Sequence, residues 1–201
     1  MYKSFFKSIL DFLLSFIAFI LLSPLFLVIT GILLVVNQGK PFFFQARAGL
    51  NGAVFPLIKF KTMNDLRGKD NELLPDHERM TTIGNFVRKT SMDELPQLIN
   101  VMRGEMSLIG PRPFLAEYLS IYTPEEMERF KVKPGITGWA QINGRNQITW
   151  KEKFKLDIWY VQNLSYALDF KIVILTIKRI FKGEGISGDG HVTSEKYNGN
   201  N

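Results

Sequence analysis

The apolar residues of this chain are concentrated at its N-terminal end. No charged residue occurs between Asp11 and Lys40. This stretch is long enough to cross a bilayer core of ~30 Å, which needs roughly 20 apolar helical residues. A secretory signal peptide is disfavoured, because the run is too long and no small-x-small cleavage site follows it. The pattern therefore predicts a membrane-inserted helix within residues 1–38.

A serine-proline pair in the middle of this helix leaves its path through the membrane open. Pro24 removes a helical hydrogen bond and clashes with the preceding turn, and the hydroxyl of Ser23 can bond a backbone group freed at the break. Basic residues flank both ends of the apolar run, so the positive-inside bias gives no clear direction. A re-entrant helix that enters and leaves on one face and a kinked spanning helix are both compatible with these residues.

The pattern after residue 38 combines short extended segments with helices. Residues 42–45 and 54–60 predict two strands joined by a glycine-rich turn. The predicted helices cover residues 82–89, 92–102, 149–163 and 169–182, with short helices over 114–122 and 124–130. This indicates an α+β fold, mostly helical with a small β element. We expect one domain over residues 39–185, followed by a polar C-terminal tail over 186–201.

The helix predicted over residues 169–182 is basic and amphipathic. One face carries apolar side chains, namely Phe170, Val173, Ile174, Ile177 and Phe181. Lysines and an arginine lie on or beside the other face. Such a helix can lie in the headgroup layer of a membrane, or it can pack its apolar face into an ordinary core, and the sequence leaves both open.

The composition limits the partners, nucleophiles and metal ions that the chain could use. Lys and Arg total 25 against 19 Asp and Glu, giving a net charge of +6, which suits nucleic acid, phospholipid headgroups or a phosphorylated substrate. The absence of cysteine excludes disulfides, thiolate zinc sites and cysteine nucleophiles. The two histidines, His77 and His191, are far apart, so any metal should be a hard cation held by carboxylates.

Asp93 and Glu94 are the leading candidates for catalysis. In the simpler interpretation, Ser91 and Glu94 form a capping box that begins a helix. A carboxylate at a helix N-terminus among arginines, however, has its charged form favoured, which makes it a competent nucleophile toward phosphorus. Adjacent carboxylates on a helix point about 100° apart, so one could attack while the other holds Mg²⁺.

Several cations could bind an anionic substrate beside these carboxylates. Arg112 lies between two prolines, and its planar guanidinium suits bidentate phosphate binding. Arg145 follows a glycine that allows close backbone approach, and Arg88 shortly precedes the carboxylates. Lys59 and Lys61 share one face of an extended segment. Each could be an ordinary surface charge, but together they describe a basic pocket for a polyanion.

Asp157 is an acid in an otherwise apolar and aromatic helical segment. It could pair with an arginine for structural reasons, or it could contribute to a metal site. We favour a structural or supporting role.

Four segments together resemble a known family. They are residues 59–63 (KFKTM), 91–98 (SMDELPQL), 106–113 (MSLIGPRP) and 133–141 (KPGITGWAQ). In this order they resemble the bacterial sugar transferases, the monotopic polyprenol-phosphate phosphoglycosyl transferases. The resemblance covers nearly the whole chain and is closest to the minimal form without extra N-terminal transmembrane helices. Lys61 is a small departure, because many members carry arginine there.

The resemblance implies a two-step reaction. Asp93 attacks the β-phosphate of a UDP-sugar and releases UMP, and polyprenol phosphate then takes the sugar phosphate from the carboxylate. Asp93 and Glu94 are implied as the Mg²⁺ site, with Glu94 assisting metal binding. Arg88, Arg112 and Arg145 are implied as phosphate contacts.

The resemblance also implies a location and a donor. Ser23 and Pro24 correspond to the family's helix break, so the anchor is expected to be re-entrant, with the catalytic domain on the cytosolic face of the bacterial inner membrane. Residues 190–197 (GHVTSEKY) resemble the tail of PglC-type members, which begin bacterial N-linked glycan assembly. That similarity implies UDP-N,N'-diacetylbacillosamine as the donor and undecaprenyl phosphate as the acceptor.

One alternative comes from a different class of function, and a second lies within the enzyme class. A membrane-tethered basic module that binds anionic lipid or nucleic acid would explain the charge and the anchor. It would not explain the rigid glycine-proline motifs, and the chain has no nucleic-acid fold signature. Within the enzyme class, Asp93 could instead act as a base in direct transfer between the two substrates.

Overall fold

A computed structural model of the chain describes residues 5–144, 148–182 and 196–199. The helices are α1 (Lys7–Val36), α2 (Asp76–Arg79), α3 (Thr82–Lys89), α4 (Gln97–Met102), α5 (Trp139–Ile142), α6 (Trp150–Asn163) and α7 (Tyr166–Lys182). The strands are β1 (Phe42–Ala48), β2 (Val54–Phe60), β3 (Ser107–Ile109) and β4 (Gly135–Thr137). Short 3-10 turns cover Leu50–Gly52, Met92–Glu94, Ala116–Ser120 and Glu126–Lys131. The predicted α+β class is confirmed.

The predicted hairpin is present, and so are the helices predicted over residues 82–89, 149–163 and 169–182. β1 and β2 pair antiparallel, with Phe43 opposite Lys59. α3 begins after Thr81, whose hydroxyl accepts a hydrogen bond from Gly84 N. α6 begins after Thr149 with a complete capping box, in which Glu152 N donates to the Thr149 hydroxyl and Thr149 N donates to the Glu152 carboxylate. These elements are specified by local residues, which is why the pattern alone located them.

The helix predicted over residues 92–102 is divided, and the capping box predicted at Ser91 is wrong. Ser91 has a left-handed backbone with φ of 57° and makes no side-chain capping bond. A single 3-10 turn carries Asp93 and Glu94, and α4 begins only after Pro96. Pro96 has no N–H to donate to an i−4 carbonyl, so a continuous helix through this position is disfavoured. Both carboxylates consequently lie on a tight turn outside α4.

A short parallel pair brings two distant motifs together. β3 and β4 pair with Ser107 opposite Gly135 and Ile109 opposite Thr137. A Cβ on Gly135 would lie 2.0 Å from Gly110 N, so no side chain fits between the two backbones. This close approach fixes the glycine-proline segment that follows β3.

Asn100 holds β2 against α4. It is fully buried, its Oδ1 accepts from Ile58 N at 3.0 Å, and its Nδ2 donates to Pro56 O at 2.9 Å. These two backbone groups lie on the side of β2 away from β1. The side-chain amide of Asn100 therefore satisfies the hydrogen bonds of the strand edge that β1 does not pair. The contact fixes Lys59, the next residue along β2.

α1 continues as a helix through the serine-proline pair. Ser23 Oγ donates to Ile20 O at 2.7 Å, which is the carbonyl that lacks an i+4 donor because residue 24 is proline. Most of the helix surface is apolar and exposed. Within the described ranges, α1 is the one helix long and apolar enough to cross a membrane, and 11% of its most apolar window is buried.

Both ends of α1 contact the same folded domain. At its start, Lys7 Nζ lies 2.6 Å from Asp169 Oδ2 of α7, and both side chains are buried. At its end, Asn37 Nδ2 donates to Lys61 O at 2.7 Å. Between these points, Leu33 is fully buried among residues of β2 and α3. The anchor therefore packs along the domain rather than projecting from it.

α7 buries one side and exposes the apolar face identified in the sequence. Ile172 is fully buried in a core cluster, and Leu168 packs with it. Phe170, Ile174 and Ile177 are exposed, as is Val173; the side chain of Phe181 lies outside the described part of the structure. The alternative in which this face packs into the protein core is wrong, and an exposed apolar face on a basic helix suits a membrane surface.

Candidate active site

A cavity of about 600 Å³ lies between the β1–β2 hairpin, the 3-10 turn Met92–Glu94 and α6. Alternate residues of the hairpin line one wall, because successive strand residues point to opposite faces. They are Phe43, Gln45, Arg47, Lys59 and Lys61. Asp93, Glu94, Arg88, Arg112 and Asp157 also line the cavity. The predicted catalytic and phosphate-binding residues other than Arg145 thus meet at one cavity, together with Asp157, whereas Ser23 and Pro24 lie in α1 away from it. Arg145 lies outside the described residues.

Two cations hold the paired carboxylates. Lys59 Nζ lies 3.3 Å from Asp93 Oδ2 and 2.8 Å from Glu94 Oε1. Arg112 Nη2 donates to the same Glu94 oxygen at 2.9 Å. Glu94 therefore has two cationic partners, whereas Asp93 has one, at a longer distance. Asp93 Oδ1 accepts no hydrogen bond from the described part of the chain.

The two carboxylates consequently differ in pKa. Burial raises the pKa of Asp93 above its usual value, and the charge and hydrogen bond of Lys59 only partly oppose this effect. Burial also raises the pKa of Glu94, but Lys59 and Arg112 together outweigh it and hold that pKa well below its usual range. Arg112 also lowers the pKa of Asp93, as expected for a neighbouring arginine, but burial outweighs the cations there, whereas the cations outweigh burial at Glu94. Asp93 is the more basic carboxylate of the pair.

The donor set suits Mg²⁺. This ion prefers oxygen ligands and is commonly held by one or two carboxylates together with water and substrate phosphates. Asp93 Oδ1 and Glu94 Oε2 are the carboxylate oxygens not engaged by Lys59 or Arg112. The described residues contain no cluster of three or more potential metal-ligating side chains. The arrangement fits a cation that is completed by the substrate rather than by the protein.

Arg88 adds a further positive charge to the cavity. It lies in the last turn of α3 and makes no ion pair with a described residue. A guanidinium that lines a cavity without a carboxylate partner is suited to bind an anion from solution. Its position agrees with the predicted phosphate contact.

Asp157 pairs with Arg129, a residue that the sequence analysis did not identify. Arg129 Nε and Nη2 donate to Asp157 Oδ2 at 3.1 and 2.8 Å, and both side chains are 1% exposed. Arg129 Nη2 also donates to Arg112 O at 2.5 Å, and the guanidinium lies 4.2 Å from the Phe114 ring centroid. Burial raises the pKa of Asp157, while the charge of Arg129 opposes that effect. The pair positions the backbone of Arg112.

Arg47 also lines the cavity, and the sequence analysis did not identify it as a site residue. Its Nη1 donates to Pro113 O at 3.1 Å and its Nη2 to Gln45 Oε1. Burial, with the nearby charge of Arg112, lowers the pKa of Arg47 to about 10. Hairpin register could have identified it, because alternation along β1 and the pairing with β2 place Arg47 on the face that carries Lys59.

With this geometry established, comparison with known proteins identifies the family. The family model described as bacterial sugar transferase matches residues 2–183, so the chain belongs to this family. The uncharacterized sugar transferase EpsL of Bacillus subtilis (strain 168) is 54% identical over 162 residues, which are 80% of each chain. The resemblance read from the four sequence motifs is confirmed.

Other relatives differ in length. The exopolysaccharide production protein ExoY of Rhizobium meliloti (strain 1021) is 36% identical over 199 residues, covering 89% of this chain and 87% of its own. A UDP-glucose:undecaprenyl-phosphate glucose-1-phosphate transferase of Xanthomonas campestris pv. campestris is 39% identical over 185 residues. That alignment covers 87% of this chain but 38% of the relative. The present chain thus corresponds to one part of such longer proteins.

The buried ion pair yields a stability prediction. Asp157→Ala should lower the free energy of unfolding by about 3–5 kcal/mol, because it leaves the Arg129 guanidinium buried without its counter-charge. Denaturant unfolding in detergent micelles measures this change. The exposed pair between Lys131 and Glu128 supplies the control, since Glu128→Ala should change stability by less than about 1 kcal/mol.

A double substitution separates charge burial from loss of packing. Arg129→Met with Asp157→Leu removes both charges and retains apolar volume, so the double variant should be more stable than Asp157→Ala. Equal or lower stability of the double variant would show that the pair acts mainly through its contacts with Arg112 and Phe114.

Proposed function

We propose that this protein transfers a sugar 1-phosphate from a UDP-sugar to undecaprenyl phosphate and releases UMP. The observation that carries the proposal is the Lys59–Asp93–Glu94–Arg112 cluster in a cavity large enough for a substrate. Family membership and relatives whose names include undecaprenyl-phosphate glucose-1-phosphate transferase support the same reaction. A membrane-tethered module that only binds anionic lipid would not require the paired carboxylates.

In the first step, Asp93 is the nucleophile. Its Oδ1 attacks the phosphorus that bears the sugar, and the bond from this phosphorus to the bridging oxygen breaks. UMP leaves with the electron pair, and a sugar phosphate remains on the carboxylate. The raised pKa of Asp93 supports this role, because a more basic oxygen is a stronger nucleophile once it is deprotonated.

In the second step, a phosphate oxygen of undecaprenyl phosphate attacks the same phosphorus. The bond to Asp93 breaks, the carboxylate is restored, and undecaprenyl-diphosphate-sugar is released. Lys59, Arg88, Arg112 and the predicted contact Arg145 would stabilise the phosphate charge in both steps. Because the two substrates react in turn, one cationic cavity can serve both.

Glu94 is proposed to hold Mg²⁺ together with Asp93. Glu94 remains ionised over the working pH range, because Lys59 and Arg112 hold its pKa low. Bound Mg²⁺ would neutralise part of the diphosphate charge of the donor. Lys59 and Arg112 also orient the Glu94 carboxylate by their hydrogen bonds.

The identity of the transferred sugar is a more specific part of the proposal. The tail similarity predicts UDP-N,N'-diacetylbacillosamine and a role at the start of N-glycan assembly. Relatives carry names that specify glucose or galactose, or exopolysaccharide production. A panel of UDP-N,N'-diacetylbacillosamine, UDP-glucose and UDP-galactose therefore tests the prediction, with the rate of UMP release as the measurement.

The anchor is proposed to be re-entrant, with residues 1–38 in the membrane and residues 39–185 at its cytosolic face. Support comes from the contacts of both ends of α1 with the catalytic domain, through Lys7 and Asn37. The bond from Ser23 to the carbonyl freed by Pro24 makes a bend tolerable in hydrocarbon. The exposed apolar face of α7 would lie at the same membrane surface.

The covalent mechanism predicts a sugar-phosphate adduct. Protein incubated without lipid, but with Mg²⁺ and a UDP-sugar that supports UMP release, should gain the mass of one sugar phosphate. Asp93→Asn should give no adduct and should lower the rate of UMP release at least about a thousandfold. Asp70→Asn removes an exposed carboxylate and should leave the adduct intact. Turnover by the wild type without any adduct would favour direct transfer with Asp93 as a base.

The raised pKa of Asp93 predicts the pH dependence. The carboxylate must be deprotonated to attack, so kcat/KM should fall with decreasing pH at a higher pH than for an ordinary aspartate. Lys59→Met removes the charge that holds this pKa down and should move the acidic limb to still higher pH. Lys59→Arg keeps the charge and should return the acidic limb to its wild-type pH. An acidic limb at the same pH in Lys59→Met would contradict this assignment.

The re-entrant anchor predicts that both chain ends are accessible from one side. Tags at the N-terminus and at the C-terminus should both react with an impermeant reagent in inside-out vesicles, and neither should react in intact spheroplasts. Because a spanning helix would place its two ends on opposite faces, labelling of the N-terminal tag in spheroplasts would rule out the re-entrant path.

A further inference from the structure

The described part of the C-terminal tail, residues 196–199, lies against the catalytic domain beside the cavity. Tyr197 is 4% exposed, and its ring centroid lies 5.7, 5.4 and 5.2 Å from those of Tyr118, Trp150 and Phe154. Its hydroxyl donates to the Glu126 carboxylate at 3.0 Å. An aromatic ring buried among aromatic rings, with its polar end satisfied, is a fixed anchor for the segment that carries it.

The residue before this anchor reaches the active-site cavity. Lys196 lines the cavity together with Tyr118 and Trp150, the same residues that contact Tyr197. Lys153 lies on this wall too, and its Nζ is 4.7 Å from the Trp150 ring centroid. The wall formed by α6 and the tail thus combines cationic groups with an indole ring. The wall formed by the hairpin carries Lys59.

We propose that Tyr197 docks the tail so that Lys196 binds an anionic group of the nucleotide-sugar donor. The inference rests on the proposed function and extends it to a segment outside the match to the family, which ends at residue 183. Lys196 is the binding residue. Tyr197 is a positioning residue that acts through Lys196.

Two observations favour the donor over the lipid phosphate as the bound anion. The cavity is lined by several cations, among them Lys153 and Lys196 on this wall and Lys59 on the other, and such a set suits the two phosphates of a nucleotide-sugar better than the single phosphate of the lipid. In addition, relatives differ in the sugar that their names give, glucose or galactose, whereas undecaprenyl phosphate recurs as the named carrier. The tail lies outside the family match. It is therefore better placed to bind the nucleotide-sugar donor, which varies among relatives, than the lipid carrier, which recurs.

Steady-state kinetics test the proposal with the full-length protein in detergent. Lys196→Ala and Tyr197→Ala should each raise the KM for the UDP-sugar about threefold to tenfold, as expected for one lost charged contact, while kcat changes less than about twofold. The KM for undecaprenyl phosphate should not change. Because both residues act as one unit, the double variant should be no worse than Tyr197→Ala alone.

Matched variants separate binding from stability. Lys196→Arg keeps the charge and should restore the KM for the donor, and Tyr197→Phe keeps the ring and should resemble the wild type. Lys151→Ala removes an exposed lysine of α6 that does not line the cavity, and it controls for net charge. Because the tyrosine docks the tail, the Tm of the protein should fall in Tyr197→Ala and not in Lys196→Ala.

Equilibrium binding distinguishes this inference from the proposed function. Titration of UDP into Asp93→Asn protein measures the donor site without turnover, and adding Lys196→Ala should raise the Kd by a similar factor. Absence of UMP release from the wild type would overturn the proposed reaction, yet this titration would still decide the role of Lys196. An unchanged Kd for UDP, or a rise confined to the KM for undecaprenyl phosphate, would overturn the inference.

Discussion

The unequal sharing of cations between two adjacent carboxylates is the interaction on which the site depends. Glu94 accepts from both Lys59 and Arg112, while Asp93 accepts from Lys59 alone. Burial raises the pKa of both carboxylates, but the cations outweigh it only at Glu94, whose pKa is lowered while that of Asp93 is raised. In the proposed reaction, the pair would thus supply an anionic ligand from Glu94 and a more basic nucleophile from Asp93, because their hydrogen-bond partners differ.

The rest of the fold serves to keep those partners in place. Asn100 fixes the edge of β2 that carries Lys59. Arg129, itself held by Asp157, bonds the backbone of Arg112. The close approach of β3 and β4 fixes the segment that leads to that arginine. Three contacts from different parts of the chain therefore determine the geometry of one cluster.

Sequence reasoning predicted the elements that depend on local residues. The hairpin and α6 follow from alternation and from a capping box at Thr149. The turn that carries Asp93 was predicted as a helix, because a left-handed Ser91 and the effect of Pro96 depend on backbone geometry that the pattern does not display. The raised pKa of Asp93 was missed for a related reason. Burial and the division of cations are tertiary properties, whereas the arginines were visible in sequence. The position of Tyr197 was equally inaccessible, since nothing local connects the tail to α6.

The ion pair between Lys7 and Asp169 has a consequence for biogenesis. These residues are 162 positions apart, so Lys7 cannot reach its partner until α7 has been synthesised. The first turn of α1 is therefore made long before the contact that later holds it. The order of translation separates the formation of α1 from its docking onto α7.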